Sequence, residues 1–186
     1  MIRCFIIFGL IVAIPCPAFA QSGQSPYAGQ EKREIKALSQ EDVEGYLSGE
    51  GMGFAKAAEL NHYPGPKHVL ELARELRLEK AQIDQTKSAY DRMHKEAVSL
   101  GRKIVEKEGF LDHLFASGKV DAEKLRKLTL EIGTLQGELR AAHLKAHLEM
   151  KQILTSHQIQ RYDELRGYKG AGGEQKHQGH QHGGHH

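Results

Sequence analysis

The sequence predicts an all-α protein built around one long antiparallel helical hairpin, with short helices before it and one helix after it. Three observations predict this. Between Ile83 and Ile153, mostly apolar residues recur at alternating three- and four-residue spacing. The first run is Ile83, Thr86, Tyr90, Met93, Ala97, Leu100, Ile104, Leu111 and Leu114; the second is Leu125, Leu128, Ile132, Leu135, Leu139, Ala142, Ala146 and Ile153. Such spacing is the seam of one helix packing along another. Between the runs lies Ala116-Ser117-Gly118-Lys119-Val120-Asp121, a turn so short that the helices must fold back on each other. Composition agrees: there is no tryptophan, aromatics make up 6%, and Glu, Lys, Leu and Ala dominate the middle of the chain.

Residues 1–20 read as a secretory signal peptide. Arg3 is the positive end, Cys4 to Ile14 is an apolar core, and Ala18-Phe19-Ala20 is a small-x-small cleavage site. The core is too short for a membrane span. Cys16 follows Pro15 and lacks the small residue expected before a lipidated cysteine. Cleavage removes both cysteines, so the mature chain offers no thiolate as nucleophile or ligand. It also leaves basic and acidic residues nearly equal, which argues against nucleic-acid binding. The expected location is the periplasm, with no stable membrane insertion after cleavage.

Residues 21–38 are polar and expected to be a disordered linker. The helical domain is expected over 39–166. Ser39-Gln40-Glu41-Asp42 caps a short helix ending near Gly49. Gly49-Glu50-Gly51-Met52-Gly53 reads as a hinge, because no strand precedes it and no Lys-Ser/Thr follows to make a phosphate loop. Phe54 to Leu60 is a short helix. His62-Tyr63-Pro64-Gly65-Pro66 is a rigid turn with Pro66 opening the next helix, whose stripe is Val69, Leu70, Leu72, Ala73 and Leu76. Gly101, Gly109, Gly133 and Gly137 fall inside the long helical pattern and predict weakened helix there.

Two capping signals frame the hairpin. In Leu154-Thr155-Ser156-His157-Gln158, Thr155 accepts from the backbone three residues on, Gln158 reaches back, and Leu154 and Ile159 form a hydrophobic staple. Leu78-Glu79-Lys80-Ala81-Gln82 has the same spacing, with Leu78 and Ile83 as staple. Glu79 is the poorer cap, so only a bend is predicted there. The last helix is expected to run through Arg166, followed by a His/Gly-rich tail over 167–186 that cannot form a core.

Two copies of L-[T/E]-x-x-Q around a helical hairpin, behind a signal peptide and without a mature cysteine, resemble the LTxxQ family. These are the Spy/CpxP-type periplasmic proteins and their ZraP-type, metal-associated relatives. The resemblance covers about Met52 to Arg166, and its motif residues here are Leu78, Gln82, Leu154, Thr155 and Gln158. It implies a small all-α cradle, commonly a homodimer. It also implies ATP-independent holding of unfolded or envelope proteins, modulation of a stress sensor kinase, and metal binding.

The histidines point to metal independently. His177, His180, His182, His185 and His186 are spaced by Gly and Gln in the tail. Imidazole suits Zn, Cu and Ni, and flexible spacers let several rings reach one ion. In the hairpin, the register that pairs Leu114 with Leu125 and Leu100 with Leu139 also puts His94 near His143. His147 lies one helical turn beyond. These three rings could share an ion at the seam, with Glu96 or Glu149 as further ligands; the alternative is that they are polar flank. His62, His68 and His113 read as turn or surface residues, and Met93 as core filler.

Three function classes follow. One is an ATP-independent chaperone or stress adaptor with metal-binding capacity, using apolar flank residues Phe110, Phe115, Leu144 and Leu148 rimmed by Lys103, Lys107, Lys124, Arg126 and Lys127. The same flank would serve equally as a dimer interface. The second is a periplasmic Zn/Cu/Ni buffer or sensor accessory acting through the histidine tail. An enzyme is the least supported: no cysteine nucleophile or glycine-elbow serine exists, and Ser156 and His157 point apart on one helix. No organic cofactor is expected.

Overall fold

The structure, a computed structural model, describes residues 25–168. The signal segment 1–20 and the histidines His177, His180, His182, His185 and His186 lie outside the described residues. By internal contacts the chain divides into two units, Met1–Lys32 and Arg33–His186. In the first, the described residues carry a single 3-10 turn, Gln30–Lys32. The second holds α1 (Gln40–Ser48), α2 (Lys56–Glu59), α3 (Pro66–Glu71), α4 (Lys80–Ala116), α5 (Ala122–Ile153) and α6 (Ser156–Leu165). No strand occurs among the described residues. No helix described is apolar enough over its length to cross a membrane.

The hairpin is α4 against α5, and both helices run unbroken. The glycines predicted to weaken them do not interrupt either one. Helix propensity is a weak prior that a packed amphipathic face overrides. Ser117 ends α4, Gly118 adopts φ 66°, and Asp121 caps α5 by accepting from the Lys124 amide at 2.8 Å. Leu100 and Leu139 share one core cluster, as the register requires. Leu125 departs from it: it is exposed, while Leu114 is buried. At the tip of a two-helix hairpin no third element covers the seam, so its first turn faces solvent.

Two cores sit at different heights. At the base, Val69, Leu76, Ala89, Met150, Leu154, Ile159 and Tyr162 join α3, α6 and the open end of the hairpin. At mid-height, Leu38, Tyr46, Ala97, Leu100, Ile104 and Leu139 pack α1 onto α4 and α5. The packed chain therefore begins before the Ser39 cap, since Leu38 is buried and Ile35 lies against the same core. Helix α1 is closed at both ends. Ser39 and Asp42 exchange bonds of 2.8 and 3.0 Å, and Gly49 takes φ 68° as the C-cap.

The stripe expected over 69–76 is helical only to Glu71, after which turns carry Leu76 into the base core. The bend predicted at Glu79 is instead a full break. Arg77 takes φ 51°, Glu79 is extended, and Gln82 Oε1 accepts the Glu79 amide at 3.0 Å. Glu is a weak cap by itself; the Gln82 half of the box and the left-handed Arg77 supply the break. At the other end, Gln158 Oε1 accepts the Thr155 amide at 2.9 Å, and Thr155 Oγ1 accepts the Gln158 amide at 3.2 Å.

The two boxes are tied together. Gln82 Nε2 donates to Gln158 Oε1 (2.9 Å) and Gln158 Nε2 donates to Gln82 Oε1 (3.0 Å). The same amides donate to the carbonyls of Ile153 (2.9 Å) and Leu76 (3.3 Å). One reciprocal amide pair thus fixes the starts of α4 and α6 and the end of α5. Gln158→Ala leaves the Leu76 carbonyl, the Thr155 amide and the Gln82 side chain without partners in a nearly dry site. A loss of about 2 kcal/mol is expected, by the usual cost of orphaning buried polar groups, and urea unfolding measures it.

Candidate functional site

Between the two cores a cleft of about 620 Å³ opens beside the hairpin. Its walls are the 48–53 loop, α2, the start of α3, and the facing sides of α4 and α5. The local sequence dictates this shape. Met52 and Gly53 turn the chain with φ 40° and 78°, which carries it away from α1 before α2 returns. The turn after α2 is pinned hard to the hairpin and to α6. Lys151 Nζ donates to the His62 carbonyl (3.1 Å) and lies 4.8 Å from the Tyr63 ring centre. His62, held at φ 66°, pairs with the buried Asp163 at 2.8 Å. Such anchoring sustains a left-handed non-glycine residue that is otherwise costly.

The three histidines read from the hairpin register all line this cleft. His147 Nδ1 lies 2.7 Å from the Tyr63 carbonyl. A carbonyl only accepts, so Nδ1 carries the proton and Nε2 keeps a free lone pair. Gly65 leaves that face open: a Cβ there would stand 3.0 Å from His147 Cε1 and 3.2 Å from Nε2. His94 donates Nε2–H to the Ser48 carbonyl (3.0 Å), which frees Nδ1. His143 stacks on Phe54 with ring centres 6.1 Å apart, and its buried Nε2 has no hydrogen-bond partner. Burial, then the neighbouring His147 and His94, hold the His143 imidazole below the usual histidine range. Its neutral, lone-pair-bearing form is thereby favoured.

The three rings share a cleft but do not form a ready ligand set. Among the described residues no group of three His, Cys, Asp or Glu side chains is close enough to hold one metal ion. The carboxylates expected to help lie elsewhere. Glu149 pairs with Arg92 at 2.6 Å on the outer face, and Glu96 is exposed outside the cleft lining. His68, read as a surface residue, borders the cleft with Nδ1 against Glu71 (2.8 Å). His113 is exposed near the hairpin tip.

Sequence reasoning missed Glu59, which holds the lower wall. Its Oε1 accepts from the hydroxyls of Tyr162 (2.5 Å) and Tyr168 (2.9 Å), and Arg166 Nε lies 3.5 Å away. Its Oε2 lies 3.7 Å from His147 Nδ1. Burial first, and the Glu59 carboxylate next, push the Tyr162 phenol far above its usual range, so it stays a donor. Glu59 sits in a four-residue helix with no apolar period, and nothing local marked it.

The apolar flank is partly as read: Phe110, Phe115 and Leu148 are exposed, with Leu130 beside them in kind, while Leu144 is half-buried. A shallower groove on the distal hairpin, of about 400 Å³, is bordered by Leu130 and by a Lys107–Glu131 pair at 2.7 Å. A family model described as heavy-metal resistance matches residues 53–161, from the hinge before α2 into α6. No curated protein and no solved structure matches the chain.

Proposed function

The chain belongs to the heavy-metal resistance family, and from that premise we propose that it is an exported, non-enzymatic helical protein that binds heavy-metal ions in the periplasm. Imidazole nitrogen is the donor it has to offer, which fits Zn, Cu and Ni. One observation carries the reading: His143 presents a buried nitrogen with no partner beside His147, whose Nδ1–H is already committed to the Tyr63 carbonyl. Ligating histidines are typically oriented in that way, by a carbonyl on the far nitrogen. The tail adds His177, His180, His182, His185 and His186.

Calorimetry on residues 21–186 with Zn, Cu and Ni is expected to show saturable heat with at least one ion. It is expected to weaken below about pH 6, where imidazoles take up protons. Flat titrations with all three ions would overturn the reading.

A second reading is a Spy/CpxP-type chaperone or stress adaptor, working as a homodimer on unfolded envelope proteins or a sensor kinase. It is supported by Phe110, Phe115 and Leu130, exposed on one half of the hairpin. Suppression of aggregation of a denatured client in metal-free buffer separates it from the first.

A further inference from the structure

The cleft beside the hairpin has a dry floor and a charged rim. On the floor, Gly65, Pro66, His143 and His147 are buried. His143 is only 5% exposed, and its Nε2 has no hydrogen-bond partner among the described residues. An unpaired polar atom in such a place keeps its full desolvation cost until something bonds to it. His147 Nδ1 donates to the Tyr63 carbonyl at 2.7 Å, which leaves Nε2 as an acceptor. Gly65 lies against that nitrogen with no side chain of its own; a Cβ there would stand 3.2 Å from it.

Above the floor the walls are apolar and aromatic. Leu60 and Met93 line them, and the Tyr90 and His94 rings stack with centres 5.6 Å apart. The volume of about 620 Å³ lies in the range of small-molecule sites, well beyond what one water or one ion fills. At the rim the lining carries Lys56, Lys67 and Arg166 against Glu50 and Glu59, one net positive charge with the histidines neutral. Glu59 is already engaged by Arg166 at 3.5 Å and by the hydroxyls of Tyr162 and Tyr168. The two exposed lysines then outnumber Glu50 at the mouth.

These features select a ligand by its chemistry. His143 and His147 are neighbours one turn apart, and a hydroxyl is the smallest group that can serve both: it donates to His147 Nε2 and has lone pairs for an Nε2–H on His143. Apolar walls with exposed ring faces take a flat ring. A mouth with one surplus cation takes a single negative charge. We infer that the cleft binds a small aromatic carboxylate, with a ring hydroxyl seated on His143 and His147 and the carboxylate at Lys56 and Lys67. This goes beyond the metal-binding reading and does not rest on it. An ion and the hydroxyl would compete for the same two nitrogens, so each excludes the other.

The probe is para-hydroxybenzoate, titrated calorimetrically into the full chain in metal-stripped buffer at about pH 8, where imidazoles are neutral. Saturable binding is expected. It should be about tenfold tighter than that of benzoate, which lacks the hydroxyl, and about fivefold tighter than that of the methyl ester, which lacks the charge. His147→Asn keeps a donor for the Tyr63 carbonyl and removes Nε2. It should bring the probe down to the affinity of benzoate and leave benzoate itself unchanged. Lys56→Gln combined with Lys67→Gln alters only exposed side chains and should erase the preference over the ester. No saturable binding, or equal affinity for the three compounds, overturns the proposal. So does a His147→Asn chain that weakens probe and benzoate alike, because that loss is one of cleft shape. A preference over the ester that survives both lysine changes overturns the rim assignment. None of these outcomes touches the metal-binding reading, which stands or falls on its own titrations with Zn, Cu and Ni.

Discussion

Tyr162→Ala is expected to lower stability by about 4 kcal/mol, the upper part of the range for deleting a fully buried aromatic ring. The ring is entirely inaccessible at the centre of the base core, among Val69, Leu76, Met150 and Ile159. Three elements meet there, so a cavity at this point cannot be filled by one helix sliding inward. The hydroxyl adds a second loss, since it donates to Glu59 at 2.5 Å and so ties α6 to α2. Tyr162→Phe isolates that part: the ring stays, one donor to a largely buried carboxylate goes, and about 1–2 kcal/mol should be lost. Thermal unfolding followed by circular dichroism measures both. At roughly 3 °C per kcal/mol for a chain of this size, Tyr162→Ala should fall by about 12 °C. If alanine costs no more than phenylalanine, the base core is not what holds α6.

How much of this was legible in the sequence depends on range. The hairpin was, because periodicity is written residue by residue along each helix. So were the caps at Ser39 and Thr155, since each is a contact within four residues. Glu79 was misjudged for a related reason: its own cap strength was weighed, whereas the break comes from Arg77 and from Gln82, held across the fold by Gln158. Leu125 keeps the period and still lies exposed, because period says which side faces inward and not whether anything is there. In the cleft, His143 and His147 were visible as a pair one turn apart. Glu59, Gly65 and Tyr168 were not, because they come from a one-turn helix, a proline-flanked turn and a chain end, and only tertiary packing brings them to the same wall.

The same glycine-to-alanine change should act with opposite sign at two places in the hairpin. Gly133 and Gly137 lie in α5 with nothing within 4 Å of an added Cβ. There, alanine should stabilise by about 0.5–1 kcal/mol, through helix propensity and a less free unfolded chain. At Gly101 the added Cβ would stand 2.0 Å from the Tyr46 carbonyl oxygen and 2.7 Å from its carbonyl carbon. Those are backbone atoms of α1 and have no rotamer into which to retreat. Helix α1 must lift from α4, which opens the seal over Leu100 and Ile104 and strains the Ser39 and Gly49 ends of the helix. Overpacking of this kind costs about 3 kcal/mol, well beyond any gain in propensity. The lift should also reach the cleft, because α1 ends at Ser48, whose carbonyl holds His94, and Gly49 rests on Val98. Gly101→Ala is therefore expected to lower the urea midpoint while Gly133→Ala raises it, and to speed amide exchange across residues 40–53 in the folded protein. Equal effects at the two glycines would mean that α1 does not depend on this close approach.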